Sequence, residues 1–379
     1  MAEKRPYQIC TNCVMDTSDS KIVFDEKGVC DFCNDYKANI APNWHTGAQG
    51  QKELEEVSAR IREAGKGKKY DCIIGMSGGV DSSYLCYVAK ELMHLRPLVY
   101  CVDTGWNLHV ADENIRRIVD ALGLDMQVDT VNWEEMRDLQ LAFFKSGVPY
   151  QDLPQDHAIF ASLYNYAVKN GIQYVLTGAN NATECIRPPI EWVYQNDWTL
   201  INDIHKRFGK VPLKTFPRCS LLKSRLYYAY FKGMKRVAPL NMIEYDKEKV
   251  QRFLHERFGW ERYANKHYED LLTRFYEGYY LPHKFGYDKR RCYFSNLILT
   301  GGMTRDEALA ELEKEPYDHE TMMEDKALIA QRLGISTEEF DRLIEGPNKT
   351  FKDYKNSWGL IQAGTVVLRK LGVENKKYR

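Results

Sequence analysis

The segment Ser77-Gly78-Gly79-Val80-Asp81-Ser82-Ser83 carries more chemical potential than any other of its length in this chain. It follows an apolar run and opens a helical pattern. Its glycines allow a sharp turn and close approach of a ligand to the backbone. Its hydroxyls, with the free N–H groups of a helix start, favour an anion. The turn therefore reads as a phosphate cradle at the carboxyl end of a strand. It has neither the Gly-Lys-Ser/Thr of a Walker loop nor the spacing of a dinucleotide fingerprint. Asp81 is also at home as a helix-start carboxylate favoured by the dipole. A second constellation lies upstream. Cys10-x-x-Cys13 and Cys30-x-x-Cys33, sixteen residues apart, have the spacing of a four-cysteine zinc site. Four thiolates close a tetrahedron, so the expected role of Zn²⁺ is structural. Residues 1–45 are too few to bury a core, and metal binding would supply the missing folding free energy. Cys72 and Cys101 lie in apolar runs and read as small core residues.

The elements that must hold these groups alternate. Strand Asp71–Gly75 leads to helix Ser82–Leu92, strand Pro97–Val102 to helix Val110–Leu122, and strand Asp125–Asp129 to helix Trp133–Phe144. Helix Asp156–Asn170 then leads to strand Tyr174–Thr177. This pattern predicts an α/β fold, a parallel sheet with helices on both faces. Ligands of such sheets bind beyond the carboxyl ends of the strands. Three segments fall there: 77–83, Asp103-Thr104-Gly105 and Thr177–Glu184. A polar helix over 46–69 ends in Gly65-Lys66-Gly67. The stretch Pro188–Ser220 has poor periodicity and reads as a substrate-facing excursion. Beyond Tyr245 the chain turns mostly helical, with candidate helices Asp246–Phe258, Tyr268–Tyr279, Thr304–Glu313 and Ser336–Glu345 and capped starts at Thr304 and Ser336. Three regions are expected: a knuckle over 1–45, a nucleotide-type domain over 46–240 and a helical C-terminal region over 241–379.

The 53 basic and 53 acidic residues cancel, which speaks against a large nucleic-acid surface. No apolar run reaches the length of a membrane span, and Met1–Pro6 is polar, so no membrane partner and a cytoplasmic location are expected. The histidines show no ligand spacing. His94, His109 and His157 read as structural or surface residues. Lys284, Lys289, Arg290 and Arg291 cluster beside aromatics. Such a run suits phosphate or nucleotide-sugar binding, and equally a solvated charged face.

Ser-Gly-Gly-x-Asp-Ser resembles the PP-loop of the ATP pyrophosphatase superfamily. The resemblance implies an enzyme that splits ATP into AMP and pyrophosphate. It implies that Ser77, Gly78, Gly79, Val80, Ser82 and Ser83 hold the phosphates, that Asp81 helps to hold Mg²⁺, and that Asp103 lies beside the nucleotide. Thr177–Glu184 resembles the Gly-Thr-x-x-x-x-Glu segment of ammonia-using synthetases. Gly178 then belongs to the ATP site and Glu184 to Mg²⁺, although Ala179 replaces the pattern's Thr. With the cysteine pairs and the block Lys284–Arg305, the chain resembles the N-acetyl sugar amidotransferase family, WbpG/PseA-like, of bacterial surface-polysaccharide synthesis. That likeness implies that the acetamido group of a nucleotide sugar becomes acetamidino through an O-adenylyl imidate and ammonia, in lipopolysaccharide O-antigen or nonulosonic acid synthesis. Ammonia would come from a separate HisH-like glutaminase with a HisF-like barrel protein. Two other readings share the motifs: a tRNA-modifying PP-loop enzyme, for which Cys185 beside Glu184 would matter, and a zinc-knuckle adaptor without activity.

Overall fold

The computed structural model describes residues 5–194, 196–262 and 270–370. A short helix α1, Asp31–Asp35, closes the cysteine knuckle, and α2, Gly47–Ala64, leads into the sheet. There β1 (Cys72–Gly75), α3 (Val80–Tyr87), β2 (Pro97–Asp103), α4 (His109–Leu122), β3 (Asp125–Thr130) and α5 (Trp133–Ser146) alternate. They are followed by α6 (Leu153–Lys169), β4 (Tyr174–Leu176), the single turn α7 (Asn181–Glu184), α8 (Trp198–Phe208), a π-helix (Lys223–Phe231) and β5 (Lys235–Val237). The sheet is wholly parallel, in the order β3-β2-β1-β4-β5. The chain moves outward from β1 through β2 to β3, then returns to the far side of β1 as β4. The gap between the ends of β1 and β4 is thus the topological switch point, where a doubly wound sheet binds its ligand.

Alternation along the strands explains why both faces are covered. Ile73, Leu98, Tyr100, Val102 and Val175 enter one core with α5, α6 and α8. Cys72, Ile74, Val99, Cys101, Tyr174 and Leu176 enter the other with α2, α3 and α4. Cys72 and Cys101 are core residues, as their apolar settings predict. The α/β sheet, the N-terminal cysteine cluster and the helical C-terminal region expected from sequence are all present.

The C-terminal helices are α9 (Lys247–Phe258), α10 (Leu271–Phe275), α11 (Leu281–Phe285), α12 (Arg290–Thr300), α13 (Arg305–Leu312), α14 (His319–Leu333), α15 (Thr337–Ile344) and α16 (Trp358–Lys370). A π-turn, Tyr276–Tyr280, joins α10 to α11. Thr304 forms a full capping box with Glu307, and the Ser336 side chain accepts from the Glu339 N–H, as expected. Each such cap contributes about 1 kcal/mol. Packing does not break at residue 240, because Leu240, Tyr245, Val250, Leu254 and Trp260 share the core of β1. The excursion Pro188–Ser220 contains a helix, α8, capped by Asp197. The helix expected from Tyr268 begins outside the described residues and is seen from Leu271. No helix among the described residues is long and apolar enough to cross a membrane.

Candidate active site

Three facts of local backbone shape the turn after β1. Gly78 has φ +82°, and a Cβ there would lie 2.5 Å from the Ala111 carbonyl oxygen, so both conformation and space demand glycine. Gly79 precedes α3 in extended conformation, with no side-chain cap on the first turn. The serines knit the turn: the Ser77 N–H donates to Ser82 Oγ at 3.3 Å, and the Gly79 N–H to Ser77 Oγ at 3.3 Å. From the C-terminal region, buried Trp260 donates its Nε1–H to the Gly78 carbonyl at 3.0 Å. The loop is thereby fixed from behind, while Ser77, Gly79, Val80, Asp81 and Ser82 face a cavity of about 530 Å³.

Asp81 sits in the first turn of α3, where the helix dipole favours its charge. The Tyr245 hydroxyl donates to Asp81 Oδ1, and Asn180 Nδ2 lies 3.4 Å from the same oxygen. Burial, then the charges of Asp81 and Glu184, hold the Tyr245 phenol well above its ordinary pKa. One phenol thus feels both carboxylates, which lie 103 residues apart in sequence. Gly178 makes the approach possible. A Cβ there would come within 3.1–3.2 Å of the Asp81 carbonyl carbon, Asp81 Cβ and the Ser82 nitrogen. Asn180 then caps the turn carrying Glu184 by accepting from the Thr183 N–H at 2.9 Å. Two acidic oxygen donors beside an anion cradle are the donor set that a hard divalent ion takes, Mg²⁺ with phosphate above all.

The opposite wall comes from α6, α10 and α12. Gln155 Nε2 donates to Thr273 Oγ1 at 2.9 Å, and Thr273 Oγ1 to Asp152 Oδ1 at 3.1 Å. Lys289 pairs with Glu277. Burial presses the Lys289 pKa down, but Glu277 and Asp152 outweigh it and the ammonium is held. Burial, and then the neighbouring Asp156, push the Asp152 carboxyl up. Lys247 also faces the cavity, as does Gln251, nine-tenths buried, whose Oε1 has no hydrogen-bond partner. An unsatisfied buried acceptor is the kind of group a ligand N–H or O–H completes.

The four cysteine sulfurs lie within 4.8 Å of one another and are fully buried. Sulfur pairs stand 3.6 Å (Cys13–Cys30, Cys30–Cys33) and 3.9 Å (Cys10–Cys33) apart. A tetrahedron with metal–sulfur bonds near 2.3 Å has edges of about 3.8 Å. The N–H groups of Asn12, Cys13 and Cys30 all point at Cys10 Sγ, at 3.2–3.4 Å, and such donors stabilise thiolate. The cluster is compatible with a structural Zn²⁺. Arg305 donates to the carbonyls of Cys10 and Cys13 at 3.0–3.2 Å, and Ser295 accepts from the Val14 N–H at 3.2 Å. The same helix α12 offers Asn296, whose Oδ1 accepts from the Ile186 N–H at 2.5 Å and from Cys185 Sγ at 2.9 Å. The knuckle therefore braces α12, and α12 braces the loop just after Glu184.

The structure gathers most of the residues singled out by sequence, but not all. Ser83 is buried behind the loop, away from the cavity lining. Asp103 turns back to accept from the Gly105 N–H at 2.8 Å, and Thr104 and Val102 line the cavity in its place. In the basic run only Lys289 reaches the cavity. Lys284 donates to the Ile344 and Gly346 carbonyls, Arg290 pairs with Asp288, and Arg291 pairs with Asp16 at 3.1 Å. A charged run next to a knuckle and helix ends finds anions and carbonyls within the fold, which is why three of the four are used there. Cys185 is a hydrogen-bonded thiol pushed up to about 12 by burial, ill-suited to thiolate chemistry. His157 is packed between rings and accepts from the Cys219 N–H, a structural residue as expected. Tyr245, Lys247, Gln251, Trp260, Asp152, Gln155 and Glu277 were not singled out by sequence, since none belongs to a motif.

Residues 269–365 match the family model described as LPS biosynthesis protein WbpG-like, C-terminal domain. A curated relative, the uncharacterized protein MJ1599 of Methanocaldococcus jannaschii, is 24% identical over 173 residues, 45% of this chain and 58% of that protein. The match thus spans less than two thirds of that relative's length. Among solved structures, the NH3-dependent NAD synthetase of Campylobacter jejuni is similar at 16% identity and a TM-score of 0.30, over 79% of this chain and 98% of that one. The predicted subunit of tRNA methyltransferase from Methanocaldococcus jannaschii is similar at 14% identity and a TM-score of 0.29, over 49% and 74%.

Proposed function

Taking as premise a C-terminal region of the WbpG-like lipopolysaccharide-biosynthesis type, we propose that this chain is an ATP pyrophosphatase-type amidotransferase that converts the acetamido group of a nucleotide-activated sugar to acetamidino. One observation carries the reading. A single cavity is lined on one side by Ser77, Gly79, Asp81, Ser82 and Glu184, and on the other by Thr273, Glu277 and Lys289 from the WbpG-like segment. The PP-loop resemblance assigns ATP to the first wall, and the family resemblance assigns the sugar to the second.

An amide carbon is a poor electrophile, because resonance delocalises the nitrogen lone pair onto oxygen. Making that oxygen a phosphate leaving group is the purpose of ATP here. The acetamido oxygen forms a bond to the α-phosphorus as the bond from that phosphorus to the bridging oxygen breaks, and pyrophosphate departs. The serine hydroxyls and loop N–H groups hold the β- and γ-phosphates in line. Asp81 and Glu184 would hold Mg²⁺, which neutralises the charge on the departing diphosphate. Ammonia then bonds to the imidate carbon, the carbon–oxygen bond breaks, and AMP leaves. The amine proton released goes to a carboxylate of the far wall, Asp152 or Asp156, both of which line the cavity. Ammonia would be delivered by a separate glutaminase with a barrel companion.

The test is mass spectrometry of UDP-linked diacetamido sugars and CMP-linked nonulosonic acids incubated with ATP, Mg²⁺ and ammonium. The reading expects one acetyl oxygen replaced by NH in a member of this set. If every member returns unchanged while ATP is still consumed, the proposed acceptor class is wrong.

A further inference from the structure

The π-helix Lys223–Phe231 is tied to α6 on one side only. Buried Tyr228 and Lys223 both donate to Asn165 Oδ1 at 2.7 Å, and Tyr228 packs with Ala161 and Cys219. Its other side is apolar and open. Leu222 is 66% exposed, Leu226 47%, Tyr227 40%, Tyr230 68% and Phe231 79%. Five of the fifteen large apolar side chains exposed among the described residues fall within these ten positions. Single exposed apolar residues need no explanation, but a contiguous aromatic patch marks a contact surface. Just beyond it Lys232, Lys235 and Arg236 are exposed, the last two on β5 at the edge of the sheet. The centre is thus aromatic and the rim cationic. On its α6 side the helix adjoins the cavity lining: buried Tyr228 meets the Tyr164 ring edge-on at 5.8 Å, and Tyr164 lines the cavity with Phe160, which is 42% exposed.

We propose that this face seats the protein that supplies ammonia, through a partner surface with an apolar centre and an acidic rim. The proposal rests on the amidotransferase reading. Its two supports are the cationic rim, which selects an anionic partner, and the adjacency of this helix, through Tyr228 and Tyr164, to the cavity lining at exposed Phe160. Ammonia is neutral only while kept from bulk water, which protonates it at neutral pH and leaves it without a nucleophilic lone pair. A partner seated on Tyr227, Tyr230 and Phe231 that also reached Phe160 would give ammonia a sheltered way in.

The test compares wild type with two surface variants, Tyr230→Glu/Phe231→Glu and Lys235→Glu/Arg236→Glu. Turnover is measured with ammonium alone, and with glutamine plus the glutaminase and barrel pair of the source organism. Binding of that pair and of anionic phospholipid vesicles is measured in parallel. Both variants are expected to keep ammonium-driven turnover within about twofold, which also reports an intact fold, and to lose at least tenfold in glutamine-driven turnover and in affinity for the pair. If wild type uses ammonium but the variants retain glutamine-driven turnover and pair binding, the docking assignment is overturned while the amidotransferase reading stands. If the variants lose vesicle binding instead, the face belongs to a membrane surface and the proposal is equally overturned. If wild type forms no amidino product even with ammonium, the reading itself falls, and the docking proposal with it.

Discussion

At the N-terminal knuckle every sulfur faces another sulfur, and at the β1–β4 switch point the carboxylates face a cavity. Under the proposed function both places hold a cation, and they differ in what they leave open. The cysteines are fully buried, the Cys10 and Cys13 sulfurs receive backbone N–H groups, and the Cys10 and Cys13 carbonyls are clamped by Arg305. A Zn²⁺ held there would take no ligand from outside, so its contribution would be folding free energy. Asp81 and Glu184 instead line about 530 Å³ of open space beside hydroxyls. An ion held by them, as the proposed function requires, would keep positions for phosphate oxygens. Coordinative closure separates a structural centre from a chemical one. The two are nonetheless joined through α12, since Ser295 touches the knuckle and Asn296 the segment after Glu184.

The largest effect should come from opening the closed site. Cys30→Ala is expected to remove the bound zinc and more than ~3 kcal/mol of stability, since a structural zinc supplies about 10–16 kcal/mol. Metal analysis and thermal melts read this out. A variant that kept its melting temperature would break the comparison, because the knuckle would then be ornamental. Next come the open-site carboxylates. Asp81→Asn and Glu184→Gln should each lower kcat by about 10²–10³-fold, the usual loss of one charge-stabilising group. Their melting temperature and zinc content should stay at wild-type levels. Loss of zinc from either variant would erase the distinction between the two centres.

Gly178→Ala tests how the two carboxylate loops meet. The added methyl must push Asp81 and Ser82 by a few tenths of an ångström. We expect about tenfold lower kcat, with ATP binding less affected. The smallest effect is assigned to Tyr245→Phe, which removes the hydroxyl donated to Asp81. Asn180 Nδ2 stays beside the same oxygen, so the net loss is expected to be about 0.5–1 kcal/mol, two- to fivefold in kcat. It should appear as a changed Mg²⁺ dependence of turnover, followed by magnesium titration at saturating ATP.

How far the sequence reveals this site follows from distance along the chain. The turn 77–83 and the Thr177–Glu184 segment are local patterns, and each is legible because strand, glycine and helix start occur within a dozen residues. Their support is not local. Tyr245 reaches Asp81 across 164 positions and Trp260 reaches Gly78 across 182. No periodicity announces either contact. The fifth strand, Lys235–Val237, is only three residues long with two of them exposed, so it carries no alternation to read. The π-helix before it hides for a related reason, since its apolar residues face outward and confuse an amphipathic reading. The basic run around Arg290, which the sequence leaves open between phosphate binding and a charged face, is divided by the fold, with Lys289 lining the cavity. Its residue types suit phosphate, but their partners are Asp16, Asp288 and helix-end carbonyls fixed by the tertiary fold. Helix α8 was hidden in an aromatic stretch, where Asp197 alone marks its start.

In the proposed reaction the turn after β1 holds a departing diphosphate. Phosphorus NMR of quenched reactions containing purified protein, an acetamido nucleotide sugar, ATP, Mg²⁺ and ammonium tests this directly. AMP and pyrophosphate should appear in equal amounts and in step with amidino product. Accumulation of ADP and inorganic phosphate in their place would contradict it.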